Sequence, residues 1–250
     1  MRRLVILIRI AVPTAAPLIV GVFMQAFTIA AQADVTYGLV AHYAFEGNVL
    51  DGSGNGNHGT GFGDIDFVSG AFGQAASFDG LDDYVQTPRS IAGDFSVAIW
   101  LRTTHSAPAG SFWFEGLGLV DGEVCGSPSG GDWGIAQLNG GQISFGGTIA
   151  LDAAVTINDG VWHSVVLTRE SGGVANLYVD ANLSASGVTG ALALDAPPWI
   201  GLGNNPCDVV FNRNWYKGQL DEVRFYNRAL TFPEVLELSE PLFADRFEGW

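Results

Sequence analysis

Short runs in which apolar and polar residues alternate, separated by turns rich in Gly, Asp, Asn and Ser, are the main pattern along the chain. The clearest run lies between residues 159 and 180. Asp159-Gly160 forms a turn, an apolar-rich strand continues to Arg169, and a Gly-rich reversal at 170–173 leads into a second strand. This pattern predicts a β-hairpin. Its Trp and β-branched side chains favour packing rather than catalysis.

The same alternation recurs over most of the chain, whereas helix signals are sparse. Only 231–238 reads as a helix, because Thr231 suits a cap and Pro233 suits the first turn. Strands with one strongly apolar face are typical of two sheets stacked face to face. We therefore predict an all-β fold, a two-sheet antiparallel β-sandwich of the jelly-roll type with one short C-terminal helix. The expected strands are 40–45, 75–78, 83–86, 95–102, 111–115, 133–138, 142–145, 163–168, 175–179, 199–202 and 218–225.

The N-terminus has the three parts of a secretory signal. Arginines at positions 2, 3 and 9 precede an apolar run at 10–31, and Ala31-Gln32-Ala33 has the small residues of a cleavage site. We expect a signal peptide at 1–33, a single domain at 34–238 and a tail at 239–250. A retained membrane anchor is the alternative, since the apolar run is long enough to span a bilayer. The protein is then secreted, periplasmic or displayed on a bacterial cell surface.

Acidic residues greatly outnumber basic ones. The chain has 11 Lys and Arg against 26 Asp and Glu, a net charge of −15, and removal of the three leader arginines gives 8 − 26 = −18. Such a surface repels phosphate backbones and anionic lipids, so nucleic acid and the membrane surface are poor partners. The acid excess suits a hard cation such as calcium, or it serves only solubility.

Two cysteines, Cys125 and Cys207, each stand among turn-forming residues. In an oxidising compartment this arrangement favours one disulfide that holds two loops side by side. A metal-binding or catalytic thiol is the alternative, although neither cysteine has a nearby histidine in the sequence.

Five segments follow one another in a fixed order: YAFEGN at 43–48 with the loop 51–59, FDGLDDYV at 78–85, FSVAIW at 95–100, DGVWHSVVLTR at 159–169 and LDEVRFYNRAL at 220–230. Together they resemble the laminin G-like domain of the concanavalin A-like lectin/glucanase superfamily. The resemblance spans about 39–238 and implies a jelly roll, often with bound calcium and usually without catalysis. Members bind glycans or proteins, so the fold does not settle the ligand.

The resemblance also implies a calcium site that joins the two ends of the domain. An acid on the last long strand and oxygens from the first segment would share the ion, and here these are Glu46, Asp51 and Asp221. The alternative is that 51–59 is only a turn cluster, in which Asn, Asp and Gly relieve backbone strain.

Catalysis is not expected. Glycoside hydrolysis needs two carboxyl groups ~5–5.5 Å or ~6.5–9.5 Å apart, and glucanases of this superfamily carry two glutamates on one strand face. Asp64 and Asp66 alternate but lack those glutamates, and Glu115 and Glu123 flank a Gly-rich stretch.

Aromatic residues beside polar ones offer a binding surface. Trp215 and Tyr216 stand next to Arg213 and Asn214, a combination that can stack on a sugar ring and take its hydroxyls. Packing in the core is the alternative for any aromatic residue. We predict a secreted, non-catalytic module that binds carbohydrate. The rivals are a protein-binding adhesion module that uses the loops of Cys125 and Cys207, and a divergent glycosidase or lyase.

Overall fold

A computed structural model describes residues 34–126 and 131–240. The predicted signal peptide with its cleavage site, and all but the first two residues of the predicted tail, lie outside the described residues. The described chain contains fifteen strands: β1 Leu39–Tyr43, β2 Thr60–Phe62, β3 Asp66–Ser69, β4 Gln74–Asp79, β5 Tyr84–Pro88, β6 Phe95–Arg102, β7 Leu117–Asp121, β8 Gly134–Leu138, β9 Gln142–Gly146, β10 Ala150–Thr156, β11 His163–Arg169, β12 Val174–Val179, β13 Asn182–Val188, β14 Trp199–Leu202 and β15 Lys217–Tyr226.

The strands form two antiparallel sheets that stack as a sandwich. One sheet has the order β13-β12-β11-β6-β15-β4-β3, with β1 also paired to β15, and the other has the order β10-β9-β8-β7-β14-β5-β2. Alternation along β6 sends Phe95, Val97, Ile99 and Leu101 into the core between the sheets, where all four are buried. The all-β prediction is confirmed, and the predicted hairpin is the β11–β12 pair.

The predicted C-terminal helix is α2, Phe232–Ser239. Thr231 and Glu234 form a capping box at its start. The helix packs on the outer face of the eight-stranded sheet, where the Trp100 indole donates a hydrogen bond of 3.0 Å to the Leu238 carbonyl. Helix α2 therefore covers one end of that face and leaves the other end exposed.

Two helical segments were not expected from the sequence. The first is α1, Pro206–Phe211, which begins because the Asn205 side chain accepts a hydrogen bond from the Asp208 amide. The second is a 3₁₀ turn, Trp113–Glu115, so the predicted strand at 111–115 is wrong. The Glu115 carboxylate accepts the amides of Ser111 and Phe112 and thereby closes the chain into a turn.

A disulfide joins Cys125 to Cys207, with a Cα–Cα distance of 5.1 Å, as the sequence predicts. It links the loop after β7 to helix α1. Crosslinks over a long stretch of chain restrict the unfolded state. The bond therefore fixes α1, and the residues that follow it, against the seven-stranded sheet.

Candidate functional site

Aromatic side chains from three neighbouring strands meet on the outer face of the seven-stranded sheet. Phe62 lies opposite Tyr84 in the β2–β5 ladder, and their rings stack with centroids 4.5 Å apart. The Trp199 ring of β14 lies 6.0 Å from that of Tyr84. The alternating neighbours Val85 and Ile200 are fully buried, so the aromatic rings point away from the core.

A fourth ring comes from the chain that follows α1. Trp215 lies 6.1 Å from Tyr84, and its indole nitrogen donates a hydrogen bond of 3.1 Å to the Asn212 side chain. Phe62 is exposed, and the other three rings are half-buried. We call these four residues, Phe62, Tyr84, Trp199 and Trp215, the aromatic platform. Tyr84 lies at its centre, because its ring is next to each of the other three.

Only part of the predicted Trp215–Tyr216 site is brought together. Tyr216 is fully buried and packs beside Phe78 in the core, so its ring is closed to a ligand and this part of the prediction is corrected. The physical reason is strand alternation: next to β15, consecutive residues point to opposite sides of the backbone.

Arg213 and Asn214 remain at the surface beside Trp215. Both are held by the buried carboxylate of Asp208, which forms an ion pair with Arg213 and accepts a hydrogen bond of 2.9 Å from the Asn214 amide. Polar donors therefore stand at fixed positions next to the aromatic platform. Sugar rings have apolar faces and polar rims, and a site of this composition complements both.

Two of the three predicted calcium ligands converge on one hairpin turn, residues 70–73. Glu46 accepts the amide of Gln74 at 3.2 Å, and Asp221 accepts the amide of Phe72 at 2.9 Å. The second oxygen of Asp221 is buried without a hydrogen-bond partner, and burial raises the pKa of this carboxyl to about 7. Such an orphaned buried oxygen fits a cation ligand.

Asp51 does not join them. Its two oxygens accept four hydrogen bonds of 2.8–2.9 Å, from the amides of His42, Ser53 and Asn57 and from the Ser53 hydroxyl. Asp51 thus organises its own turn, and the candidate cation site as the structure arranges it rests on Glu46 and Asp221. The described chain has one group of three acids whose carboxylate oxygens lie within 4.8 Å of one another, and its members are Asp79, Asp82 and Asp83.

Sequence reasoning missed two neighbouring acids at the end of β7, of which Asp121 is buried and Glu123 is half-buried. Asp121 is fully buried, and one of its oxygens, which faces Gly134 and the Trp113 ring, has no hydrogen-bond partner. Burial raises the pKa of Asp121 well above its ordinary value, and it raises the pKa of neighbouring Glu123 to about 7. Charge repulsion from Asp208 also raises the pKa of Glu123.

These raised pKa values make folding pH-dependent. The folded protein holds protons that the unfolded chain releases, so this part of its stability is present below pH ~4 and is lost as pH rises towards 7 and above. We expect Asp121→Asn to increase the free energy of unfolding at pH 7.5 and to flatten its pH dependence, because the variant has no buried carboxyl group to ionise. Urea unfolding between pH 4.5 and 8 measures both quantities. The exposed Asp82→Asn is the control, and an equal gain from it would contradict the explanation.

The fold and the platform together define a jelly-roll sandwich with an open aromatic surface on one sheet. The sequence profile of a laminin G-like family, described as the concanavalin A-like lectin/glucanases superfamily, matches residues 78–236, well over half of the chain. The chain therefore belongs to this family. No curated protein matches it in sequence.

Several solved structures share the fold. Domain 4 of AbnA, a GH43 extracellular arabinanase from Geobacillus stearothermophilus, in complex with arabinotriose, is 23% identical, with a TM-score of 0.61 over 81% of this chain and 98% of that one. The binding domain of Paraclostridial Mosquitocidal Protein 1 is 21% identical, with a TM-score of 0.64 over 82% of this chain and 52% of that one. The binding domain of botulinum neurotoxin DC in complex with SialylT is 13% identical, with a TM-score of 0.62 over 82% and 52%.

The chain thus spans about half the length of the toxin binding domains and nearly all of the arabinanase domain. At these identities the similarity establishes the fold. In the described part of the chain, no helix is both long enough and apolar enough to cross a bilayer.

Proposed function

We propose that this protein is a non-catalytic carbohydrate-binding module and that its ligand stacks on the aromatic platform. The observation that carries the proposal is the grouping of four partly exposed aromatic rings around Tyr84 on one open sheet face. Isolated exposed aromatic residues are ordinary, but a contiguous group marks an interaction surface. The complex of the similar arabinanase domain with arabinotriose supports a sugar as the ligand class.

The platform favours sugar over a protein partner because it has stacking surfaces with fixed polar groups at the edge. Arg213 and Asn214 are anchored by Asp208, so little conformational entropy is lost when they bind hydroxyl groups. The rival protein-binding surface on the loops of Cys125 and Cys207 has no comparable grouping of aromatic rings among the described residues.

We also propose that the protein is exported and that calcium stabilises it. The disulfide supports an oxidising compartment, in agreement with the signal pattern at 1–33. Glu46 and Asp221 are the side chains that would hold the ion. Calcium would there compensate the buried Asp221 carboxylate and tie the first segment of the domain to its last strand.

A glycan array with the mature chain, defined as residues 34–250 after the proposed signal cleavage, tests the binding proposal. We expect binding to neutral oligosaccharides, and we expect Trp199→Ala/Trp215→Ala to lower the affinity at least about tenfold, because stacking on an aromatic ring is worth on the order of 1 kcal/mol per ring. Phe112→Ala is the matched control, since it removes an exposed ring (57% exposed) outside the platform. Equal losses from both variants, or release of sugar by the purified protein, would contradict the proposal.

A further inference from the structure

A second concave site lies on the opposite side of the sandwich from the aromatic platform. It occupies the end of the eight-stranded sheet that α2 leaves open. The cavity measures about 410 Å³, large enough for a monosaccharide, and its polar lining includes Ser77, Arg102, Thr104, His105, Lys217 and Gln219.

This pocket gathers positive charge on a strongly acidic protein. Lys217 is the only lysine in the chain, and it lines the pocket together with Arg102. Arg213, Arg224 and Arg228 each form an ion pair with a carboxylate, whereas neither Arg102 nor Lys217 does so among the described residues.

The acid that lies opposite Lys217 in the sheet does not cancel this charge by direct contact. Asp79 lies opposite Lys217 in the β4–β15 ladder, but one of its oxygens accepts the Leu81 amide at 2.7 Å, and no ion pair with Lys217 forms. The pocket therefore keeps two cationic side chains available to an anion.

The guanidinium of Arg102 is held in place. Its Nε donates a hydrogen bond of 2.6 Å to the Gln219 side-chain oxygen, and its central carbon Cζ lies over the Trp162 ring, 5.0 Å from the ring centre. The two terminal nitrogens are then left to donate to a planar anion. Because the Gln219 oxygen faces Arg102, the amide nitrogen of Gln219 is a further donor.

We propose that this pocket binds the carboxylate of an acidic sugar residue, such as a uronic acid within a glycan. Arg102 and Lys217 take the carboxylate. The ring hydroxyls can form hydrogen bonds with three polar side chains of the pocket wall, Ser77, Thr104 and His105. The cavity of about 410 Å³ is larger than an inorganic anion needs, which favours a sugar residue. The site lies on the other sheet from the aromatic platform and is independent of it, so failure of one does not imply failure of the other.

Titration of the mature chain with trigalacturonate, followed by NMR, tests the assignment. We expect trigalacturonate to bind at least about tenfold more tightly than neutral galactotriose, with a preference that weakens as salt is added. Arg102→Gln and the exposed Lys217→Gln should each remove most of this preference. The platform variant Trp199→Ala/Trp215→Ala should keep the preference while it loses affinity for neutral glycans.

Arg89→Gln is the matched control, since it removes one exposed positive charge outside the pocket. A loss from Arg89→Gln as large as that from Lys217→Gln would overturn the assignment, because it would reveal non-specific attraction. Equal affinities for the acidic and neutral trisaccharides would also overturn it. Inorganic phosphate or sulfate that competes as strongly as the uronate would reject a sugar carboxylate as the ligand.

Discussion

Calcium at a hundredfold excess over its dissociation constant is expected to raise the Tm of the mature chain by about 5–10 °C at pH 7.5. Such an excess contributes about 2.7 kcal/mol, and each kcal/mol shifts a domain of this size by about 2–4 °C. The physical reason is the buried Asp221 carboxylate, one oxygen of which has no hydrogen-bond partner. Burial raises the pKa of Asp221 to about 7, so without a cation the ionised carboxylate is unfavourable in the folded state.

We therefore expect the relative stability of Asp221→Asn and the wild type to reverse between chelator and calcium. In chelator at pH 7.5 we expect the variant to be more stable than the wild type by about 1–3 kcal/mol, because the uncompensated buried charge is gone. In calcium the wild type should be the more stable protein, and the variant should not respond to the ion. Thermal unfolding with calcium or chelator measures all four values.

Asp51→Asn is the matched control for the cation site. It should lower stability in both conditions, because Asp51 accepts four hydrogen bonds in its turn, but it should keep the calcium response. A response that Asp51→Asn abolishes and Asp221→Asn preserves would contradict the assignment, as would a Tm that calcium leaves unchanged.

Replacement of Tyr84 is expected to affect binding more than any other single change on the platform. Its ring contacts those of Phe62, Trp199 and Trp215, so Tyr84→Ala removes one stacking surface and the support of three others. We expect a loss of about ten- to a hundredfold in glycan affinity, measured by isothermal titration calorimetry.

Tyr84→Phe separates stacking from hydrogen bonding. The ring is preserved and the hydroxyl is lost, so this variant should bind within about threefold of the wild type. If Tyr84→Phe binds as poorly as Tyr84→Ala while both remain folded, the hydroxyl rather than the ring face holds the ligand, and the stacking explanation is wrong.

The sequence predicted the sandwich because alternation is a local property. Each strand carries its own inward face, as Phe95 to Leu101 in β6 illustrate, and the C-terminal helix has its own capping box. Helix α1 was missed because Asn205 and Pro206 serve equally well in a turn. The deciding hydrogen bond, from the Asp208 amide to Asn205, is visible only in the folded chain.

The site was less predictable because it depends on strand register. Trp215 was recognised from its polar neighbours, but Phe62 and Tyr84 join it only through the pairing of β2, β5 and β14. Tyr216 follows Trp215 directly and yet faces the core. Asp51 and Asp221 both lie in segments that resemble the laminin G-like family, so the sequence does not distinguish them. Their hydrogen bonds do: the oxygens of Asp51 are satisfied within its turn, whereas one oxygen of Asp221 has no partner.

A crystal structure of the mature chain with the neutral oligosaccharide that it binds most tightly would test the central claim most directly. We predict a sugar ring lying flat against Tyr84 and Trp199, with Trp215 at its edge and the glycosidic bonds intact. A glycan seated on the disulfide-linked loops with the aromatic platform empty, or a cleaved glycan, would contradict the account.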